Sequence, residues 1–293
     1  MKNPNNRNKF LLASAAMALS LPLAVQNAGA SVVNLYTFND GTANDSVGGQ
    51  NAVAINSPVI SGGSVTLANS GLNNANGSTQ YIDLPNGLIS TASSGGTSGA
   101  FSFSIWFIAT ESRNWATPLS FGTTDGGENA ASGAGSSDYI QLIPDTDGGS
   151  PSNTFRLTAH SAAGSELGVS QAQDQTAPLN TLINVVGVYD LSAAAGSQQS
   201  FYVNGVLVGS SDLPAGLDIN TFTNNNNWLG RGQWDGDGAW VGSIDELAIY
   251  DNAVDATDAA NIYAAGPVAV PEPSAAALML GAAAAASLRR RRA

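Results

Sequence analysis

Four glutamates stand between the two ends of the chain, Glu111, Glu128, Glu166 and Glu246, and the whole chain has one histidine, His160. Retaining glycoside hydrolysis needs two carboxyl groups about 5–5.5 Å apart. These four are widely separated in sequence. Asp245 and Glu246 are neighbours, and neighbours on a strand point to opposite faces. His160 lies between Ala159 and Ser161 with no acid or nucleophile marked beside it. A Ser-His-Asp triad needs no sequence proximity, so spacing alone leaves that arrangement open. No nucleophile elbow, phosphate loop or dinucleotide fingerprint is present. The absence of cysteine excludes disulfides, zinc thiolate sites and thiol catalysis. The residue types therefore point away from an enzyme and toward binding or structure.

Binding chemistry has more material. Residues 31–270 hold 21 acids against three arginines and no lysine, a formal net charge of −18. Such a surface repels nucleic acid and anionic headgroups, so no nucleic-acid partner is expected. It also supplies hard oxygen ligands for divalent cations, although acidic solubilisation accounts for most of these carboxylates. Asp145/Asp147 and Asp235/Asp237 are D-x-D pairs with glycine close by, and neither completes an EF-hand loop. Trp115, Trp228 and Trp234 are the candidate ligand-binding residues, because aromatic faces stack on sugar rings. Trp228, Trp234 and Trp240 fall in a stretch rich in Gly, Asn and Asp. The competing expectation is that large rings, Trp106 first among them, pack in the core.

The elements that must position these groups read as strands. Gly, Ser, Asn, Thr and Asp dominate between short apolar alternations, which predicts an all-β sandwich or barrel. Residues 101–108 alternate apolar and Ser before turning apolar on both faces, the clearest strand. Residues 138–143 and 154–159 are weaker ones, and 182–189 reads as a central buried strand. Asn204-Gly205 between apolar runs predicts a hairpin with a type I′ turn. Residues 240–250 form a long late strand. Asp255 to Ala265 reads as a short helix, capped by Asp255 and ended by Gly266. Ser90 to Gly99 reads as a Ser/Gly/Thr-rich loop.

Both ends read as targeting segments. Lys2, Arg7 and Lys9 precede an apolar run from Phe10 to Val25, and Ala28-Gly29-Ala30 fits signal peptidase. The expectation is a signal peptide over 1–30, cleaved after Ala30. At the other end, Pro271-Glu272-Pro273 precedes the apolar residues 274–288 and four arginines, Arg289 to Arg292. That apolar stretch is short for a span of about 20 residues, and the arginines would stay cytoplasmic. This order resembles the PEP-CTERM sorting signal. The resemblance implies a linker and tail over 267–293, a separate transmembrane helix, recognition by an exosortase, and export to the surface or exterior of a Gram-negative bacterium. A plain membrane anchor is the alternative.

The remaining stretch, 31–266, resembles LamG-like, concanavalin A-like jelly rolls. The carriers are Asn34 to Asp40 followed by Asp45-Ser46-Val47-Gly48, the strand Phe101 to Trp106, the paired Val185 to Asp190 and Phe201 to Gly205, and the closing Trp240 to Tyr250. The family's Trp before Val185 is missing; Leu182-Ile183-Asn184 stands there. The resemblance implies an all-β, two-sheet antiparallel jelly-roll sandwich with a short C-terminal helix, and a glycan or exopolysaccharide partner. It also implies a structural Ca²⁺ tying the N-terminal segment to the last strand, through Asp40, Asp45 and Asp245. A structural or adhesion protein is the second reading and a glycan-active enzyme the third. Laminarinase-type relatives carry their two carboxyls at i and i+4 or i+5 on one strand, a pattern this chain lacks.

Overall fold

The computed structural model describes residues 29–95, 99–135, 137–146 and 153–268. The expected sorting residues Pro271, Glu272 and Pro273, the C-terminal transmembrane helix and most of the signal peptide lie outside them. Among the described residues no helix is long and apolar enough to cross a membrane.

Among the described residues, fifteen strands and two helices follow one another. The first five strands are β1 (Val32–Tyr36), β2 (Val53–Ile55), β3 (Val59–Ser61), β4 (Ser64–Leu67) and β5 (Tyr81–Leu84). Helix α1 (Leu88–Gly95) leads into β6 (Ala100–Ala109), β7 (Leu119–Gly122), β8 (Tyr139–Ile143), β9 (Arg156–Ser161) and β10 (Ser165–Ser170). The last five are β11 (Ile183–Asp190), β12 (Gln199–Val203), β13 (Val206–Ser211), β14 (Asn227–Leu229) and β15 (Gly242–Tyr250), followed by α2 (Ala256–Ala265).

All pairings between these strands are antiparallel and they form two sheets. One runs β13-β12-β11-β6-β15-β4-β3, with β1 also paired to β15; the other runs β10-β9-β8-β7-β14-β5-β2. The core lies between them. Phe101, Phe103, Ile105 and Phe107 alternate inward from β6, and Leu119, Phe121, Ile140, Leu142, Leu157 and Leu229 meet them from the second sheet. Packing of alternating inward residues from two facing sheets is what holds such a sandwich together. Gly187 on β11 leaves the room this core needs: a Cβ there would sit 2.4 Å from the Phe103 ring and 3.2 Å from Leu157. Gly187→Ala is expected to lower stability by about 1–3 kcal/mol through overpacking, read as a lower urea midpoint at unchanged m-value.

Local signals place several elements as expected. Asn204 and Gly205 both take positive φ, 50° and 75°, and join β12 to β13. In α2, the Asp255 carboxylate accepts from Asp258 N–H, and Gly266 closes the helix by donating to Tyr263 O. Trp106 is buried and stacks on Tyr263 of α2 at 5.9 Å.

Two expectations need correction. Residues 88–95 are helical, not part of a loop. Leu88, Ile89 and Ala92 are buried, and Asn224, far along the chain, accepts from Ile89 N–H and so caps the helix from outside. Strict alternation also fails at Asp245-Glu246, where a β-bulge interrupts the β15–β6 register. Asp245 is half-buried there and Glu246 buried, as expected of a bulge that adds one residue to one strand.

Candidate functional site: loops stitched over one sheet

The aspartates proposed for calcium do not assemble into one site. Among the described residues no group of three or more acids or histidines is placed to hold a metal. Asp45 is buried and accepts five hydrogen bonds: from Leu35, Val47 and Gly48 N–H on Oδ1, and from Asn34 Nδ2 and Gln50 N–H on Oδ2. Burial would raise its pKa, but the donated bonds, Leu35 N–H foremost, outweigh that and hold it below the usual value. A carboxylate ringed by N–H donors has no lone pair directed at a cation. Asp40 is exposed and folded onto its own turn, accepting from the Thr42 hydroxyl (2.6 Å), Thr42 N–H and Asn44 Nδ2. Asp245 sits on the bulge, where burial raises its pKa. These residues do not fit a shared Ca²⁺, because the donors that converge on Asp45 carry the wrong polarity.

The tryptophans separate. Trp228 is fully buried on β14, edge-on to Tyr81 at 5.8 Å, so the expected stacking face is closed. Trp240 is also core. Trp115 and Trp234 are half-buried on loops. Trp115 holds a left-handed backbone, φ 57°, and its N–H donates to Asp145 O at 3.0 Å. Trp234 donates from Nε1 to the Tyr139 hydroxyl (3.2 Å), which donates to Glu166 Oε2 (2.9 Å), while Glu166 Oε1 pairs with Arg156. His160 stacks flat on Tyr139 at 4.6 Å and binds Ser137 O through Nδ1.

Around these residues the outer face of the second sheet is roofed by its own loops. Tyr139, Gln141, Thr158, Ser120 and Trp228 alternate with core-facing positions, yet all are buried. The segment 231–235 covers them. Arg231 O accepts from Ser120 Oγ, Gln233 Nε2 reaches Ser120 Oγ and Asn226 O, and Trp234 O accepts from Asn74 Nδ2. Arg231 binds Asn74 O and Asn129 O, joining the loops on either side. Its guanidinium lies 4.7 Å from the Tyr81 ring centre and 4.4 Å from that of Trp228. The flanking glycines make this possible. A Cβ at Gly230 would meet Leu67 at 2.1 Å, and one at Gly232 would meet Asn74 Nδ2 at 2.9 Å. That Gly-Arg-Gly triplet was the available sequence signal for Arg231, which spacing arguments passed over.

Two clefts open between the stitched loops and meet at exposed Asn76. One, of about 380 Å³, is lined by Asn73, Asn76, Arg113, Asn114 and Asp237. The other, of about 390 Å³, is lined by Asn56, Asn76, Tyr81, Asn129 and Arg231. The loops of Trp115 and Trp234 both border the first, joined where Gly238 N–H donates to Asn114 O. Arg113 is fixed there by Asn69 O and Leu72 O. Burial, then the nearby Asp235 and Glu166, push the Asp237 carboxyl up to about 7. This cleft thus offers amides, a guanidinium and a carboxyl that holds its proton more tightly than usual.

Two antiparallel sheets packed face to face, with clefts among the loops over one of them, define a concanavalin A-like jelly-roll domain. Residues 76–260 match Laminin_G_3 of the concanavalin A-like lectin/glucanases superfamily, and the chain belongs to that family. Among solved structures, domain 4 of a GH43 extracellular arabinanase from Geobacillus stearothermophilus, in complex with arabinotriose, is similar at 21% identity and TM-score 0.52. The match covers 80% of this chain and 98% of that one. Trypanosoma rangeli sialidase in complex with sialic acid is similar at 11% identity and TM-score 0.51, over 82% of this chain and 33% of that one. At such identities the likeness is one of fold. A search of curated proteins finds no match.

Proposed function

We propose that the domain is a non-catalytic glycan-binding module of an exported protein, holding an exopolysaccharide or other surface glycan in the two clefts that meet at Asn76. The observation that carries this reading is a polar cleft lined with exposed amides, Asn73, Asn76 and Asn114, on loops joined by hydrogen bonds, with a second polar cleft sharing Asn76. Amides present donor and acceptor side by side, as a sugar's hydroxyls require. The similar arabinanase domain, solved with arabinotriose, supports a glycan over a protein ligand. Two of the domain's four glutamates are engaged within the fold, Glu166 by Tyr139 and Arg156 and Glu246 by Val268 N–H, which favours binding over hydrolysis by a glutamate pair. In this reading signal peptidase removes the leader and an exosortase acts on Pro271-Glu272-Pro273, after the tail has held the chain at the membrane.

The test is retention on a panel of bacterial and plant polysaccharides, in Ca²⁺ and then in chelator. Saturable binding to one class is expected, unchanged by chelator. Asn73→Ala and Asn114→Ala should each weaken it about five- to tenfold, the loss of one hydrogen bond, without moving Tm. Trp228→Ala should instead destabilise the fold. No binding to any glycan would turn the reading to a structural or adhesion role.

A further inference from the structure

The start of the domain is built around one backbone nitrogen. Ser31 N–H donates to Asp251 Oδ1 at 2.7 Å, while Asp251 N–H donates back to Ser31 O at 3.0 Å. This pair extends the β1–β15 ladder, in which Val32 faces Tyr250. In an ordinary antiparallel pair the Ser31 N–H would meet a neutral main-chain carbonyl. A carboxylate takes that place instead, a stronger acceptor than a neutral amide needs and well matched to an ammonium.

We propose that Asp251 is the seat of the mature N-terminus: cleavage of the Ala30–Ser31 peptide bond by water leaves Ser31 with an α-ammonium that pairs with the Asp251 carboxylate. The inference rests on the expectation that Ala28-Gly29-Ala30 is cleaved, and it joins that sequence signal to an independent geometric one at the same bond. Cleavage gives up the packing of Ala30 against Val186, Val188, Tyr202 and Val254, and the bond from Asn252 Nδ2 to Gly29 O. The new charge strengthens the remaining contact. Nearby, the carboxylate of Asp255, the N-cap of α2, is held by Asp258 N–H, and Tyr202 and Tyr250 pack in the same apolar cluster as Ala30. Asp251 is the acid in hydrogen-bond contact.

The sequence supplies a clean probe. Lys2 and Lys9 are the only lysines of the chain, so a chain beginning at Ser31 carries one primary amine, its own N-terminus. The experiment is export of the full chain from a Gram-negative host, mass determination of the N-terminus, then reductive ¹³C-methylation and an NMR pH titration of the single amine. The expected results are a chain starting at Ser31 and an amine pKa about one unit above the usual 7.7–8.0. In Asp251→Asn, which keeps an acceptor oxygen, the shift should vanish while the protein still folds. A mature chain starting elsewhere, or retaining its leader, overturns the cleavage step. A Ser31 amine that titrates normally in the parent protein overturns the seat while leaving the cleavage intact.

Discussion

Replacing Asp45 with alanine is expected to lower stability by about 3–5 kcal/mol and Tm by roughly 10 °C or more. One carboxylate there collects five donors, and four are backbone N–H groups of residues 35, 47, 48 and 50. Removing it strands the buried Asn34 amide and the half-buried Leu35 N–H, the expensive kind of loss, while the N–H groups of exposed Val47 and Gly48 can turn to water. It also unties β1 from the turn that follows it. Asp45→Asn should fall between, because its amide nitrogen would face donors with a donor. Gly48 gives an independent check. A Cβ at that position would sit 2.4 Å from Val33 O and 2.8 Å from Asp45 Oδ2, so Gly48→Ala should disturb the same knot with the carboxylate intact. Thermal melts in Ca²⁺ and in chelator decide the point about the ion. A parent protein that gains several degrees from millimolar Ca²⁺ would mean that the aspartates do ligate it and that this account of Asp45 is wrong.

That site shows where sequence reasoning reaches its limit. Asp40, Asp45 and Asp245 stand out in the sequence because carboxylates bind calcium, but residue type does not say which way the surrounding dipoles point. The Asn34 amide and four N–H groups turn toward Asp45, making it the centre of an anion knot. Elements governed by local rules were legible: the Asn204-Gly205 turn needs positive φ at two successive residues, and α2 has both of its caps in sequence. Helix α1 was not, since its cap is Asn224 and its apolar positions are few among serines. The candidate site was legible only in part. Trp115 and Trp234 line neither cleft themselves, although their loops supply Arg113, Asn114 and Asp237 to one of them, and Trp228 is buried beneath Arg231. Which rings remain open depends on residues 231–235 folding back across the sheet, a long-range arrangement that no local pattern encodes.

Acidification from pH 8 to pH 5 is expected to stabilise the protein, with Glu246 and Asp237 carrying comparable parts of the effect. The carboxyl is buried under residue 268, whose N–H it accepts at 2.8 Å. Burial, with Asp245 beside it, pushes its pKa up to about 7 against the opposing pull of that hydrogen bond. A carboxyl whose pKa rises on folding keeps its proton in the folded state after the unfolded chain has lost it. Stability is therefore greatest below the unfolded pKa of about 4.5, declines as pH rises to 7, and stays low above. The difference for Glu246 is about 3 kcal/mol, since each pH unit separating the folded from the unfolded pKa is worth about 1.4 kcal/mol. Asp237, raised to about 7, and Asp83, raised to about 6, act in the same direction. Asp45, lowered by its donors, acts in the opposite one: its contribution is complete above about pH 4 and is lost as the medium becomes more acid. Together they predict a stability maximum near pH 4, where the raised carboxyls keep their protons in the folded state and Asp45 is still ionised. Glu246→Gln separates the causes, because glutamine still accepts from residue 268 and cannot ionise. This variant should melt higher than the parent at pH 8, by about 6–12 °C, and match it at pH 5. Equal melting curves for parent and variant at pH 8 would show that Glu246 is ionised at little cost in the folded protein, and that the C-terminal end of the domain leaves it open to water.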